Sequence, residues 1–255
     1  MSTATSPIIP IIEDNQKKLS DNSFTTNSNR SREIYEPSEN SDSSYIDCSS
    51  QSPIKKLVYM HKLDNIKRIL PITFRCSYSH VVAIIDAFEI QIKKPSDPEH
   101  QSLTWSEYKK CNTLKYLISC TPDGFINFIS NGFGGRTSDE LLFQESEIVE
   151  ELPEGCAVMA YRGFKNIVQL LDNKKIELIR TPLVSAGVKL SQSNVLQGKR
   201  IAALRIHIER VIRRMREFDF LKPHAVVNHN MLPLTDYIVI IAAALVNLQT
   251  PIISS

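Results

Sequence analysis

The sequence predicts an α/β fold with a mixed sheet of about five strands, the first three antiparallel and the next two alternating with helices, and with helices flanking the sheet. Three observations point to it. Residues 81–90, Val-Val-Ala-Ile-Ile-Asp-Ala-Phe-Glu-Ile, have the β-branched density of a strand buried on both faces. Two further apolar runs, 113–120 and 124–130, are joined by Thr121-Pro122-Asp123-Gly124, whose Pro-Asp-Gly turn signal makes them a hairpin. Beyond Gly132 the pattern changes, and helical periods alternate with short apolar runs.

A chain of 255 residues with 42% hydrophobic content buries one good-sized core, with room for one domain plus a tail or for two small domains. The net charge is only +2, so any basic surface has to be local. The five cysteines form no C-x-x-C pair and no zinc-finger spacing with the histidines, which fits a reducing compartment. No basic segment followed by a long apolar core opens the chain, and the longest apolar run, 238–246, is too short to span a bilayer. The expectation is a soluble, intracellular protein without a membrane partner.

Residues 1–55 are rich in Ser, Asn, Thr and acids, bury too little to offset the entropy of ordering, and read as a disordered tail. Residues 56–75 read as a basic lead-in helix or linker, either a solvated entry helix or an arm touching DNA, and 76–252 as the folded domain. Within the 81–90 strand, Asp86 requires a partner, because an unpaired buried carboxylate costs roughly several kcal/mol. That partner is a neighbouring Lys or Arg, or a bound cation. Glu89, three positions on, points to the other face of the strand.

Residues 104–110 read as a turn of helix. Gly132, Gly134 and Gly135 open a flexible loop, and Thr137 with Glu140 forms a capping box for a helix running to about Leu152. Asp139 then lies in the first helical turn, where the helix dipole favours an acid, although a role in chemistry stays open. The run 156–160 is a strand that turns at Gly163 into a helix over 164–171, so Tyr161 stands beyond the carboxyl end of a strand, where open α/β sheets bind ligands. A strand follows at 176–179.

A long helix spans about 199–218, with Ile201, Leu204, Ile208, Val211, Met215 and Phe218 as an apolar stripe. Around it lie Arg200, Arg205, Arg210, Arg213, Arg214 and Arg216, either a solvated face or a set of phosphate contacts. Glu209 is the only acid between Lys199 and Arg216; Arg205 and Arg213, four residues to either side, can pair with it on the helix surface. An apolar helix at about 235–248 closes the core.

This order, three strands, then helix, strand, helix, strand, then a helix with one acid amid arginines, is that of a ribonuclease H-like core. In that core one carboxylate comes from the first strand, one from the end of the fourth and one from the later helix. Hard divalent cations want anionic oxygens, and in-line attack on a phosphodiester is served by two metals roughly 4 Å apart. Acids distant in sequence then have to meet in space.

Several short stretches match together. They are Ile85-Asp86-Ala87-Phe88-Glu89-Ile90, Thr104-Trp105-Ser106-Glu107-Tyr108-Lys109, Asn112-Thr113-Leu114-Lys115 and Thr121-Pro122-Asp123-Gly124. They continue as Gly135-Arg136-Thr137-Ser138-Asp139, Val158 to Phe164, His207-Ile208-Glu209-Arg210 and Asn247-Leu248-Gln249. On these residues the chain resembles the DDE superfamily endonuclease domain of PIF/Harbinger-type transposases, particularly insect forms, over about residues 70–252.

The resemblance implies Asp86 as the first metal-binding acid and Glu209 as the third. The second belongs at position 161, where the family pattern is Ala-Asp-Arg-Gly-Phe and this chain has Ala160-Tyr161-Arg162-Gly163-Phe164. The interval from 161 to 209 is similar to the family's own, so the missing acid is not an alignment slip. A phenol offers a neutral oxygen in place of a bridging carboxylate, and losing one metal costs several kcal/mol of transition-state stabilisation.

The implied cofactor is therefore a single, weakly held Mg²⁺ or Mn²⁺ on Asp86 and Glu209, with Asp139 the remaining candidate to replace the lost acid. The implied partner is DNA, contacted by Arg205, Arg210, Arg213 and Arg214, and the implied location is the nucleus. The family also leads one to expect a DNA-recognition module upstream; the first 55 residues carry no such spacing, so recognition would fall to a separate protein. Two functions follow: an impaired metal-dependent nuclease, or a catalytically inactive DNA- or protein-binding remnant of a transposase.

Overall fold

The computed structural model describes residues 57–161, 163–181 and 191–252. The expected tail, the start of the lead-in segment and residues 182–190 lie outside the described residues. Two short helices come first, α1 (Leu63–Arg68) and α2 (Ile72–Arg75), parted by Pro71, which lacks the N–H needed to continue a helix. They bury Ile66, Leu70 and Phe74, so this segment packs as part of the folded body.

The sheet then begins with β1 (Val81–Ile92), followed by α3 (Pro98–Thr104), β2 (Trp105–Ser106), β3 (Cys111–Cys120), β4 (Ile126–Ile129) and β5 (Phe133–Gly134). The second half runs α4 (Asp139–Glu145), α5 (Ile148–Glu151), β6 (Ala157–Ala160), α6 (Val168–Asp172), β7 (Glu177–Ile179), α7 (Gln192–Met215), β8 (Val226–Val227) and α8 (Leu232–Asn247).

The strand order is β2-β3-β1-β6-β7, with β4 and β5 also on β3 and β8 on β1. The pairs β1–β3 and β3–β4 are antiparallel, whereas β6 joins β1, and β7 joins β6, in parallel. The expected mixed α/β sheet is therefore observed. Residues 81–85 and all of β6 are buried, which accounts for their unbroken apolar runs. The turn between β3 and β4 closes through Gly124 N–H to Thr121 O, and Gly124 takes φ 94°, a conformation suited to glycine. Asn247, at the end of α8, binds both backbone groups of Ile126 and donates to Leu57 O, tying helix, strand and entering chain together.

Several local expectations fail for identifiable reasons. The helix expected at 104–110 lies earlier, at Pro98–Thr104, because Asp97 caps it by accepting from His100 N–H and Pro98 starts it; Trp105 is already extended and pairs with Asn112. The cap of α4 is Ser138, which accepts from Leu141 N–H, in place of Thr137. Glu147 takes a left-handed φ of 61°, which splits the helix expected to reach Leu152.

The glycine loop is packed where a flexible one was expected. A Cβ on Gly134 would stand 2.4 Å from Leu103 O, and one on Gly135 would stand 2.0 Å from Thr113 Oγ1. The helical stretch His229–Asn247, with 19 residues and mean hydropathy 1.5, also has the length and composition of a membrane span, longer than the 238–246 run suggested. One of its faces, with Val239, Ala242, Ala243 and Val246, is buried in the core.

Candidate active site

The site grows out of a break in the sheet. β6 accompanies β1 only as far as the pair Ile85–Ala160, and β8 joins β1 only at Gln91, so a gap opens along β1 between them. Asp86 is the first residue in that gap. Its Oδ1 accepts from the N–H of Ala87 at 2.8 Å, and Arg216 Nη2 reaches Glu89 O at 3.4 Å. Side chains thus satisfy backbone groups where no strand does so. Glu89 accepts from Thr113 Oγ1 and acts on Arg216.

The apolar stripe of α7 (Ile201, Leu204, Ile208, Val211, Met215) is buried, and this fixes which residues of the helix face the gap. Arg205 and Glu209, one turn apart, are two of them. Arg205 Nη2 lies 3.9 Å from Asp86 Oδ2 and 3.9 Å from Glu209 Oε1. The expected surface pair with Glu209 thus forms with Arg205, but the arginine is buried in the site, its side chain 8% exposed, with Nε unpartnered. No ion pair joins Arg213 to Glu209 among the described residues. Tyr161, half-exposed at the end of β6, places its ring centroid 4.5 Å from Arg205 Cζ.

Burial pushes the Asp86 carboxyl up from 3.8 to about 6. The Ala87 N–H and the Arg205 guanidinium oppose this, while Asp139 and Glu209 reinforce it. At 4 Å and an effective dielectric near 20 a unit charge pair is worth about 4 kcal/mol before desolvation. Desolvation is the largest of these effects.

Asp139 stands at the start of α4, as its sequence context suggested, and is held by Lys115 Nζ at 2.7 Å; Lys115 also donates to Thr137 O at 2.9 Å. It lies close enough to the gap to act on Asp86. Its Oδ2 rests against the turn after Tyr161, where a Cβ on Gly163 would stand 1.9 Å away.

A cavity of about 560 Å³ opens over Asp86 and Glu209, walled by Ile212, Arg213, Arg216, Glu217 and Pro223. Of the arginines expected to meet DNA, Arg205 lies inside the site and Arg213 lines the cavity. Arg210 is exposed beside His207, and Arg214 donates to Thr250 O at 2.6 Å. Arg216 was absent from that set, although Glu209, Ile212, Arg213 and Arg216 recur at helical spacing and could have been grouped from it. His207, despite its place in a matched motif, is buried, donates from Nδ1 to Pro122 O at 2.7 Å and packs on Phe74.

Among the described residues no group of three or more His, Cys, Asp or Glu side chains is arranged to hold a metal ion. Asp86, Glu209 and Glu217 are the carboxylates that line the cavity, and Tyr161 meets the site through its ring on Arg205.

A curled mixed sheet flanked by helices, carrying acids from its central strand and a later helix, defines an α/β protein compatible with the ribonuclease H-like core. The family described as DDE superfamily endonuclease matches residues 85–247, and the chain belongs to it. The matched span contains Asp86, Tyr161 and Glu209. Domains of this family act on DNA and generally use divalent metals. No curated protein and no solved structure matches the chain.

Proposed function

We propose that this chain is a transposase-derived DNA endonuclease domain of the PIF/Harbinger type, in which Asp86 and Glu209 hold one divalent cation, Mg²⁺ or Mn²⁺. Its phosphodiester hydrolysis or strand transfer is impaired by Tyr161. The observation that carries this reading is that Asp86 and Glu209, far apart in sequence, both lie 3.9 Å from a single guanidinium nitrogen, inside the matched family span. Two carboxylates within reach of one positive charge suit one hard cation, completed by water. They do not suit two, because Tyr161 brings no charge and Asp139 is engaged by Lys115.

When bound, the cation supplies Lewis-acid neutralisation of the phosphodiester and lowers the pKa of a bound water. The chain's own contribution is positional. Asp86 is fixed by the Ala87 N–H at the floor of the gap, and Glu209 stands at its rim. Arg213 and Arg216 line the cavity with positive charge for a phosphate backbone. The substrate implies a nuclear location.

Nicking of supercoiled plasmid in Mn²⁺ tests the reading. Slow, EDTA-sensitive nicking that disappears in both Asp86→Asn and Glu209→Gln is expected. Retained DNA binding with no nicking in the unmodified protein would instead mark a binding remnant.

A further inference from the structure

We infer that Arg205 is a built-in counter-cation of this site, competing with a divalent metal for Asp86 and Glu209, and that the Tyr161 ring is the platform that keeps it there. The inference rests on the metal-binding reading of those two acids and extends it to the guanidinium and the ring packed against them.

Four observations converge. Arg205 is buried where Arg210 and Arg213 of the same helix are exposed, so the fold turns this one arginine inward. Its Nη2 stands at the same 3.9 Å from both carboxylates. That spacing is beyond hydrogen-bond length, whereas an arginine locked to a carboxylate makes short, often bidentate bonds of about 2.8 Å. The Lys115–Asp139 pair next door, at 2.7 Å, shows what a locked pair looks like in this protein.

Arg205 Nε has no partner, so few directional bonds restrain the guanidinium. What does hold it is charge and the face of Tyr161, 4.5 Å from Cζ, a distance at which a ring attracts a cation. Held in this way, the guanidinium neutralises the two acids yet can be displaced. Tyrosine at position 161 therefore acts twice: it withholds an acid and it offers a ring that favours the competitor.

The test is Mn²⁺ binding by the full chain, read by titration calorimetry and by the paramagnetic resonance of free Mn²⁺. Arg205→Met, which keeps the apolar stem and removes the charge, is expected to bind Mn²⁺ at least about ten-fold more tightly than the unmodified protein. Adding Asp86→Asn should erase the gain. Tyr161→Leu, at a half-exposed position where folding is little affected, should release the guanidinium and gain about three-fold. This second variant keeps the test valid if Arg205→Met does not fold.

Equal affinity in all three proteins, abolished by Asp86→Asn, would overturn the role of Arg205 and leave the metal site standing. No uptake by any of them, nor by Tyr161→Asp combined with Arg205→Met, would overturn the metal reading and this inference with it.

Discussion

The guanidinium carbon of Arg205 lies 4.5 Å from the centre of the Tyr161 ring, so the residue standing where a second acid is expected faces a cation without contributing an anion. Position 161 follows Ala160, which pairs with Ile85 on β1, and it therefore borders Asp86. A carboxylate placed there would join the gap directly. Tyr161→Asp is expected to raise Mn²⁺-dependent plasmid nicking by roughly a hundred-fold, about 2.7 kcal/mol of transition-state stabilisation. An unchanged nicking rate on gels would show that this position does not limit the chemistry.

The Asp86 carboxyl, raised by burial to about 6, makes a claim about stability. Below its ordinary value of 3.8 the group is protonated whether folded or unfolded. Between 3.8 and about 6 the folded protein keeps a proton that the unfolded chain has lost, so stability falls as pH rises through that window and levels off above it. The shift corresponds to at most about 3 kcal/mol. Asp86→Asn retains an acceptor for the Ala87 N–H and carries no charge to desolvate. In urea unfolding with EDTA it should exceed the unmodified protein by up to about 3 kcal/mol at pH 8 and match it at pH 4. A mutant less stable at pH 8 would show that ionised Asp86 stabilises the fold.

Asp86 was legible because a carboxylate amid β-branched residues is costly, and Glu209 because it stands alone among arginines. The place of Tyr161 was legible from the strand that turns at Gly163, and only the family pattern marked it as standing where an acid is expected. The gap that gathers them was not, since it depends on β8 pairing with residues 91–92 from far along the chain, and no local pattern encodes that register. Nor was the inward turn of Arg205, because six arginines around one stripe look alike until packing selects a face. Ser138 displaced Thr137 as the cap since neighbouring hydroxyls compete for one geometry, and only the backbone decides between them. Asn247, matched in sequence without a reason, proves to hold Ile126 by both its backbone groups.

Lys115 and Asp139 link β3 to the start of α4 in a largely buried pair at 2.7 Å. Removing one partner strands the other. Lys115→Met is expected to cost about 3 kcal/mol in urea unfolding, and Asp139→Asn added to it should recover most of the loss, because a pair replaced by neutral groups is nearly indifferent. Equal costs for the single and the double mutant would show that the stranded Asp139 carboxylate is not what makes Lys115→Met destabilising.

Gly163 gives a complementary test of how the turn after Tyr161 is held. A Cβ there would stand 1.9 Å from Asp139 Oδ2, so alanine has to push the carboxylate off Lys115 or move the turn away from α4. Either response costs about 1–3 kcal/mol, the usual penalty for forcing atoms into filled space. Substituting Asp139→Ala removes the obstructing oxygen, and in that background Gly163→Ala should cost less than half as much. A double-mutant cycle measured by urea unfolding reads this coupling directly. If alanine at position 163 costs the same with and without the carboxylate, contact with Asp139 is not what requires glycine there.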